Sequence, residues 1–81
     1  MRELFFIWTD EIIAHIDEHG VSQDDFEQVV CRPATVGISR STGLPVAWGH
    51  TSDQRYIMVV YEEIDVVTIL PVTAYEVSEP R

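Results

Sequence analysis

Hydrophobic side chains follow two spacings along this chain, and the first spacing predicts two helices. Up to Pro33 they recur three or four positions apart, which predicts helices over residues 10–19 and 23–31. Thr9 and Ser22 stand where N-caps are expected, and Pro33 disfavours helical backbone in the residue before it. The side chains expected to face a sheet are Ile12, Ile16, Phe26, Val29 and Val30.

The second spacing is that of strands, and it occurs in short runs rich in β-branched and aromatic residues. These runs predict strands over residues 4–8, 35–40, 46–50, 55–61 and 66–75. Pro71 cannot donate to a strand ladder, so the last strand is expected at an edge or bulged there. We therefore predict an α+β fold in the order β-α-α-β-β-β-β, with two helices packed on one face of an antiparallel sheet. Residues 1–81 are expected to form one domain, in which 76–81 are a flexible tail.

The strands over 55–61 and 66–75 are apolar on both faces, and such strands need cover on both faces. Two helices cover one face only, so a second chain is expected on the other, most simply a second copy that forms a dimer.

Composition narrows the class of protein and its expected location in the cell. Hydrophobic residues make up 46% of the 81 residues, which is ordinary for a globular domain. Cys31 is the single cysteine, so no internal disulfide can form, and a buried thiol is expected there. No apolar run approaches the roughly 18 residues of a membrane span, and the N-terminus lacks the pattern of a signal peptide. A cytoplasmic protein without a membrane partner is the expectation.

Charge limits the classes of partner. Fourteen acidic residues against five arginines and no lysine give a formal net charge of −9. Nucleic-acid binding depends on neutralising phosphates with basic side chains, so no DNA partner is expected. An acidic surface favours solubility or a basic protein partner.

The candidates for RNA-cleaving chemistry are Arg40, His50, Arg55 and Tyr75. The two arginines would hold a phosphate, and the histidine would move protons near neutral pH. The alternative, which we favour, is that both arginines pair with acidic residues and that His50 merely ends a strand.

His15 and His19 lie four residues apart, with Glu11 four residues earlier, a spacing that can hold a metal. We favour a partly buried His19 and a surface His15, and expect neither a metal nor another cofactor. The aromatic set could stack nucleobases, but packing is favoured because basic residues are not interleaved with it. That set consists of Trp8, Trp48, Tyr56, Tyr61 and Tyr75.

Short motifs along residues 4–75 resemble the BrnT-like branch of the RelE-type toxin superfamily. They are Phe6-Ile7-Trp8-Thr9-Asp10, His19-Gly20-Val21-Ser22, Asp24-Asp25-Phe26-Glu27-Gln28-Val29-Val30, Arg55-Tyr56-Ile57-Met58-Val59-Val60-Tyr61 and Val72-Thr73-Ala74. The resemblance implies a RelE-like fold, ribonuclease activity and an antitoxin partner.

This sequence departs from that family where the family carries positive charge. Tyr75 stands where the family has an arginine, acidic residues follow in place of a basic helix, and Glu18 replaces a lysine. We therefore expect a protein-interaction module without strong catalytic residues, which binds a possible antitoxin or forms a homodimer. The alternative is an active ribonuclease toxin of a toxin–antitoxin system, and RNA is a partner only in that case.

Overall fold

The computed structural model describes residues 3–79 and has an α+β architecture of two helices and a five-stranded mixed sheet. The elements in chain order are β1 (Phe5–Phe6), α1 (Asp10–Glu18), α2 (Gln23–Cys31), β2 (Thr35–Ile38), β3 (Pro45–His50), β4 (Tyr56–Glu63) and β5 (Thr68–Glu76). The predicted α2 has the observed bounds, whereas the predicted first strand is longer than the observed β1.

The strands lie side by side in the order β1-β5-β4-β3-β2. Strands β2 to β5 form an antiparallel series, but β1 pairs parallel to β5, with Phe5 opposite Thr68. The prediction of a wholly antiparallel sheet is therefore wrong. A hairpin turn imposes antiparallel pairing, but no such turn joins β1 to β5, so nothing local fixes their relative direction.

Both helices begin at the predicted caps. The Thr9 hydroxyl accepts from the Ile12 amide at 3.2 Å, which satisfies one of the unpaired donors of α1. Ser22 and Asp25 form a reciprocal capping box at the start of α2. Gly20 has a φ of 76°, the left-handed conformation that follows a helix end.

The core lies between the helices and one face of the sheet. Ile16, Phe26 and Val29 are fully buried there, as predicted, and they belong to one cluster with Ile57 and Val59. The other two predicted residues, Ile12 and Val30, are only half-buried. Helix α2 lies against β3 and β4, whereas α1 lies against β5.

The second face of the sheet, opposite the helices, is covered by the chain itself at its centre. The side chains that point to this face include Val46, Tyr56 and Val60, and less than a tenth of the surface of each is exposed. The ring of Trp48 extends over Gly37, because a Cβ built on that glycine would lie 3.2 Å from the ring. A second chain is therefore not required to cover the central residues.

Two further features concern β5 and the residues after it. The predicted bulge at Pro71 is present, because the register shifts where Val60 pairs with Thr73 and Tyr61 pairs with Pro71. Glu76, the first residue of the predicted flexible tail, is the last residue of β5.

The tail continues the pairing beyond β5. The Val77 amide donates to the Tyr56 carbonyl at 3.0 Å, and Glu79 reaches His50. Backbone pairing with the start of β4 therefore extends to Val77. Residues 80–81 of the predicted tail lie outside the described residues.

The prediction of a buried Cys31 thiol is also wrong. Cys31 is the last residue of α2 and is exposed. The buried side of the helix is formed by Phe26 and Val29, and Cys31 lies about 200° around the helix from Val29. In residues 3–79, no helix is long and apolar enough to cross a membrane.

Candidate functional site

Arg55 joins four parts of the chain at one end of the sheet. Its Nη2 lies 3.1 Å from Asp25 Oδ2 in α2, and its Nε lies 3.0 Å from Asp53 Oδ2 in the β3–β4 turn. Its Nη1 donates to the Gly20 carbonyl at the junction of the helices and lies 3.9 Å from Glu76 Oε1 at the end of β5. We call Arg55 with these four partners the Arg55 clamp.

The clamp leaves no positive charge available for an anion. Three carboxylates surround one guanidinium, so the local charge is negative. Thr51 is buried beneath the turn, and its hydroxyl donates to Asp53 while accepting from the Arg55 amide. The hydrogen bond from Thr51, and then the charge of Arg55, lower the pKa of Asp53 below its usual range. The Asp53 carboxylate therefore stays charged beside Arg55 under mildly acidic conditions.

His50 lies at the end of β3 on the second face of the sheet. Its Nε2 is 2.9 Å from Glu79 Oε1, and its ring centroid lies 5.0 Å from that of Tyr56. The described partner of His50 Nε2 is thus a carboxylate of the same chain. Both side chains of this hydrogen-bonded pair are largely exposed, with 41% and 57% of their surface accessible. Such an exposed pair contributes little stability.

Arg40 is remote from the other three candidates. It lies in the β2–β3 turn, whereas His50 stands at the far end of β3. The length of β3 separates the two ends by about 15 Å or more, given a rise of about 3.3 Å per residue. Arg40 cannot share a phosphate with Arg55.

Tyr75 contacts His19, the residue that follows α1, along the other border of the second face. Its hydroxyl donates to the Met58 sulfur at 3.8 Å, and its ring centroid lies 6.1 Å from that of His19. His19 is exposed, so the prediction of a partly buried histidine is wrong; its position at the helix end places it outside the core. His15 lies 5.3 Å from His19, centroid to centroid, and its Nε2 is 2.8 Å from the Thr73 hydroxyl.

The structure brings three of the four candidates to one end of the sheet. His50, Arg55 and Tyr75 all lie near the start of β4, but Arg40 does not. Within residues 3–79, no three His, Cys, Asp or Glu side chains are placed to hold a metal ion. The grouped residues therefore offer a histidine and a tyrosine, but their arginine is already neutralised.

A shallow groove of about 540 Å³ follows the outer side of α2. Its described lining consists of Asp24, Glu27, Gln28, Cys31 and Arg32. The Trp8 ring contacts this helix, since its Nε1 donates to Glu27 Oε2 at 2.8 Å. The lining comes from a single helix and is mostly acidic, so it offers no converging set of groups.

Sequence reasoning missed the outer edge of β2. This strand ends the sheet, and no strand in residues 3–79 pairs with its outer side. Val36 and Ile38 expose 63% and 66% of their surface, although both belong to a strand. The signal was available in part, because residues 35–38 contain neither a charge nor a proline that would protect an edge. We call this segment and its unpaired backbone the β2 edge.

No protein family, characterised protein or solved structure matches this chain.

Proposed function

We propose that this chain is a protein-interaction module with a BrnT/RelE toxin-like fold and without ribonuclease activity of its own. Its partner is a protein, either an antitoxin-like chain or a second copy. The proposal rests on the motifs that resemble the BrnT-like branch, and on the loss of positive charge at Glu18 and Tyr75. A cytoplasmic location fits the same resemblance.

The observation that carries this proposal is that other residues of the chain already bind the Arg55 guanidinium. A phosphate-binding arginine needs donors directed at the ligand, but every nitrogen of this guanidinium already has a partner. Asp25 is itself part of a capping box and Asp53 is held by Thr51, so the carboxylates are fixed as well. Releasing the arginine for RNA would break contacts at α2, at the junction of the helices and at the β3–β4 turn.

The test of the proposal has two parts, which use the complete chain. Purified protein is incubated with total RNA and with a set of short single-stranded RNAs, beside the variants His50→Ala and Arg55→Ala. We expect no cleavage that depends on either side chain. In parallel, the native complex is isolated from its own cell after crosslinking, and the partner is identified; RNA cleavage abolished by either variant would refute the proposal.

The second candidate function is an active ribonuclease toxin. It is favoured by one observation: His50, Tyr56 and Tyr75 lie on the same face, at the same end of the sheet. Release of Glu79 would leave His50 able to act as a general acid or base. Arrest of translation on expression, lost in His50→Ala but retained in Glu79→Gln, would support this candidate over the first.

A further inference from the structure

We propose that the β2 edge takes up an extended segment of a partner protein as an added strand, and that this segment carries acidic residues at both of its ends. The inference rests on the proposed function, which it deepens by naming a surface and the chemistry of its ligand. Three observations carry it: the direction of the backbone groups, the exposure of the side chains and the position of the available arginines.

The first observation is the hydrogen-bonding direction along β2. The Ser39 amide donates to the Leu44 carbonyl, so Ser39 faces β3, and alternate residues of an antiparallel strand face the same way. Gly37 and Thr35 therefore also direct their backbone groups to β3. The backbone groups of Val36 and Ile38 point to the free side. The partner of Ile38 in β3 is Pro45, which has no amide to donate, in agreement with this register.

The second observation is the apolar character of the same two residues. Val36 and Ile38 expose most of their surface on the side of the sheet where the helices lie. An added strand would satisfy their backbone groups and would cover their side chains through its own alternate residues. The opposite edge differs, because β1 has only two residues and leads into α1. With four residues against two, the β2 edge is thus longer than the outer edge of β1.

The third observation is the charge around this edge. Among the arginines of residues 3–79, Arg55 is neutralised by its clamp, and the remaining two, Arg32 and Arg40, stand before and after β2. No carboxylate of the described segment lies within ion-pair distance of either. On a chain of net charge −9, the two available cations therefore bracket one uncharged strand. A ligand with acidic ends complements this arrangement.

The same charges argue against a second copy as the occupant. Two β2 strands that meet about a two-fold axis run antiparallel, which brings Arg40 of one copy beside the Arg32–Ala34 region of its partner. Like charges would then meet at both ends of the joint sheet. The partner segment we infer is instead β-branched or aliphatic at alternate positions and acidic at its flanks.

The test uses a short synthetic peptide in which valine and threonine alternate between two acidic ends. Binding to the complete protein is followed by fluorescence anisotropy and by backbone amide shifts. One control peptide has lysines in place of the acidic residues. A second control keeps the acidic ends but carries N-methyl groups on consecutive central amides, so that neither edge of the peptide can complete a ladder.

Three protein variants locate the binding. Val36→Lys places a charge on the edge at an exposed position, and Ile64→Lys is the matched control at another exposed aliphatic residue. Arg40→Glu reverses one of the bracketing charges. Thermal melts verify that each variant folds, and Ile38→Lys replaces Val36→Lys if the latter does not.

We expect saturable binding of the acidic peptide, with shifts concentrated at residues 34–40. Val36→Lys and Arg40→Glu should each weaken it by about tenfold, the N-methyl peptide should not bind, and Ile64→Lys should bind normally. Equal binding by the lysine-ended or N-methylated peptide would overturn the inference, as would absence of binding.

Dimerisation abolished by Val36→Lys would also overturn the inference, because it would assign the edge to a second copy. RNA cleavage by His50 or Arg55 would refute the proposed function whatever the peptide does. The two failures are therefore distinguishable.

Discussion

Arg55 links the helices, the β3–β4 turn and the end of β5, so replacing it by methionine tests whether its role is structural. Methionine retains much of the aliphatic length and removes the charge and the donors. The change leaves Asp25 without its cation, and that carboxylate has only 13% of its side chain exposed. A partly buried carboxylate without a partner is costly.

The expected loss follows from the separate contacts. A hydrogen bond to a charged group contributes about 1.5–3 kcal/mol, which applies to the sheltered contact with Asp25. The contacts with Asp53 and Glu76 are exposed to solvent and add little to this. We therefore expect Arg55→Met to lower the free energy of unfolding by about 2–4 kcal/mol, a large part of the 5–15 kcal/mol typical of a domain.

Urea unfolding followed by tryptophan fluorescence measures this loss, because Trp8 packs in the core and Trp48 on the second face. The control is Arg40→Met, which removes an exposed arginine without an ion pair in the described part of the chain and should cost less than about 0.5 kcal/mol. Asp25→Asn in combination with Arg55→Met should show a coupling energy near 1 kcal/mol or more. Equal losses for the two arginine variants would refute the clamp.

Three further predictions concern the core, the helix junction and the β3–β4 turn. Ile16→Ala removes a fully buried side chain and should cost about 2–5 kcal/mol in the same unfolding assay; a loss under about 0.5 kcal/mol would place Ile16 in solvent. Gly20→Ala forces a side chain into a left-handed residue whose Cβ would lie 3.3 Å from Arg55 Nη1, so the melting temperature should fall. Thr51→Val should raise the pKa of Asp53 towards its ordinary value, as measured by NMR titration of the carboxyl carbon. Because the folded pKa of Asp53 is lowered, its contribution to stability is present above the ordinary pKa near 3.8 and is lost as the pH falls through the folded value, and Thr51→Val should reduce that acid-dependent loss. An unchanged titration would show that the hydroxyl does not stabilise the carboxylate.

The helical half was predictable because its signals are local. Thr9, Ser22 and Pro33 act on backbone within a few residues, and the apolar spacing places Ile16 and Phe26 on the buried side without knowledge of the sheet. Antiparallel pairing of β2 to β5 was predictable for a related reason, since the connections between these strands are short.

The features that the sequence did not reveal depend on contacts between distant residues. The alternation of apolar and polar residues does not show that β1 pairs with β5, or that the two strands are parallel. Fourteen carboxylates made an ion pair for Arg55 expected, but only the fold selects Asp25, Asp53 and Glu76. The cover of the second face likewise depends on Trp48 crossing Gly37, where the absence of a side chain leaves room for the ring.

The pairing of β1 with β5 has a consequence for how the chain acquires its fold. Residues far apart in the sequence become neighbours in one ladder, so β1 cannot be paired until β5 has left the ribosome. Both helices emerge well before the strands they cover, whereas β2 to β5 can assemble through successive short connections.

Closing the ladder between Phe5 and Thr68 requires the long intervening segment to be ordered first, because the entropy of closure grows with loop length. We expect β1 to dock last, and pulse-labelled hydrogen exchange should show protection at Ile7 after protection at Val59. Until that step, Ile69 and the aromatic side of the core stay open to solvent, so the folding chain is most vulnerable to aggregation before β1 docks.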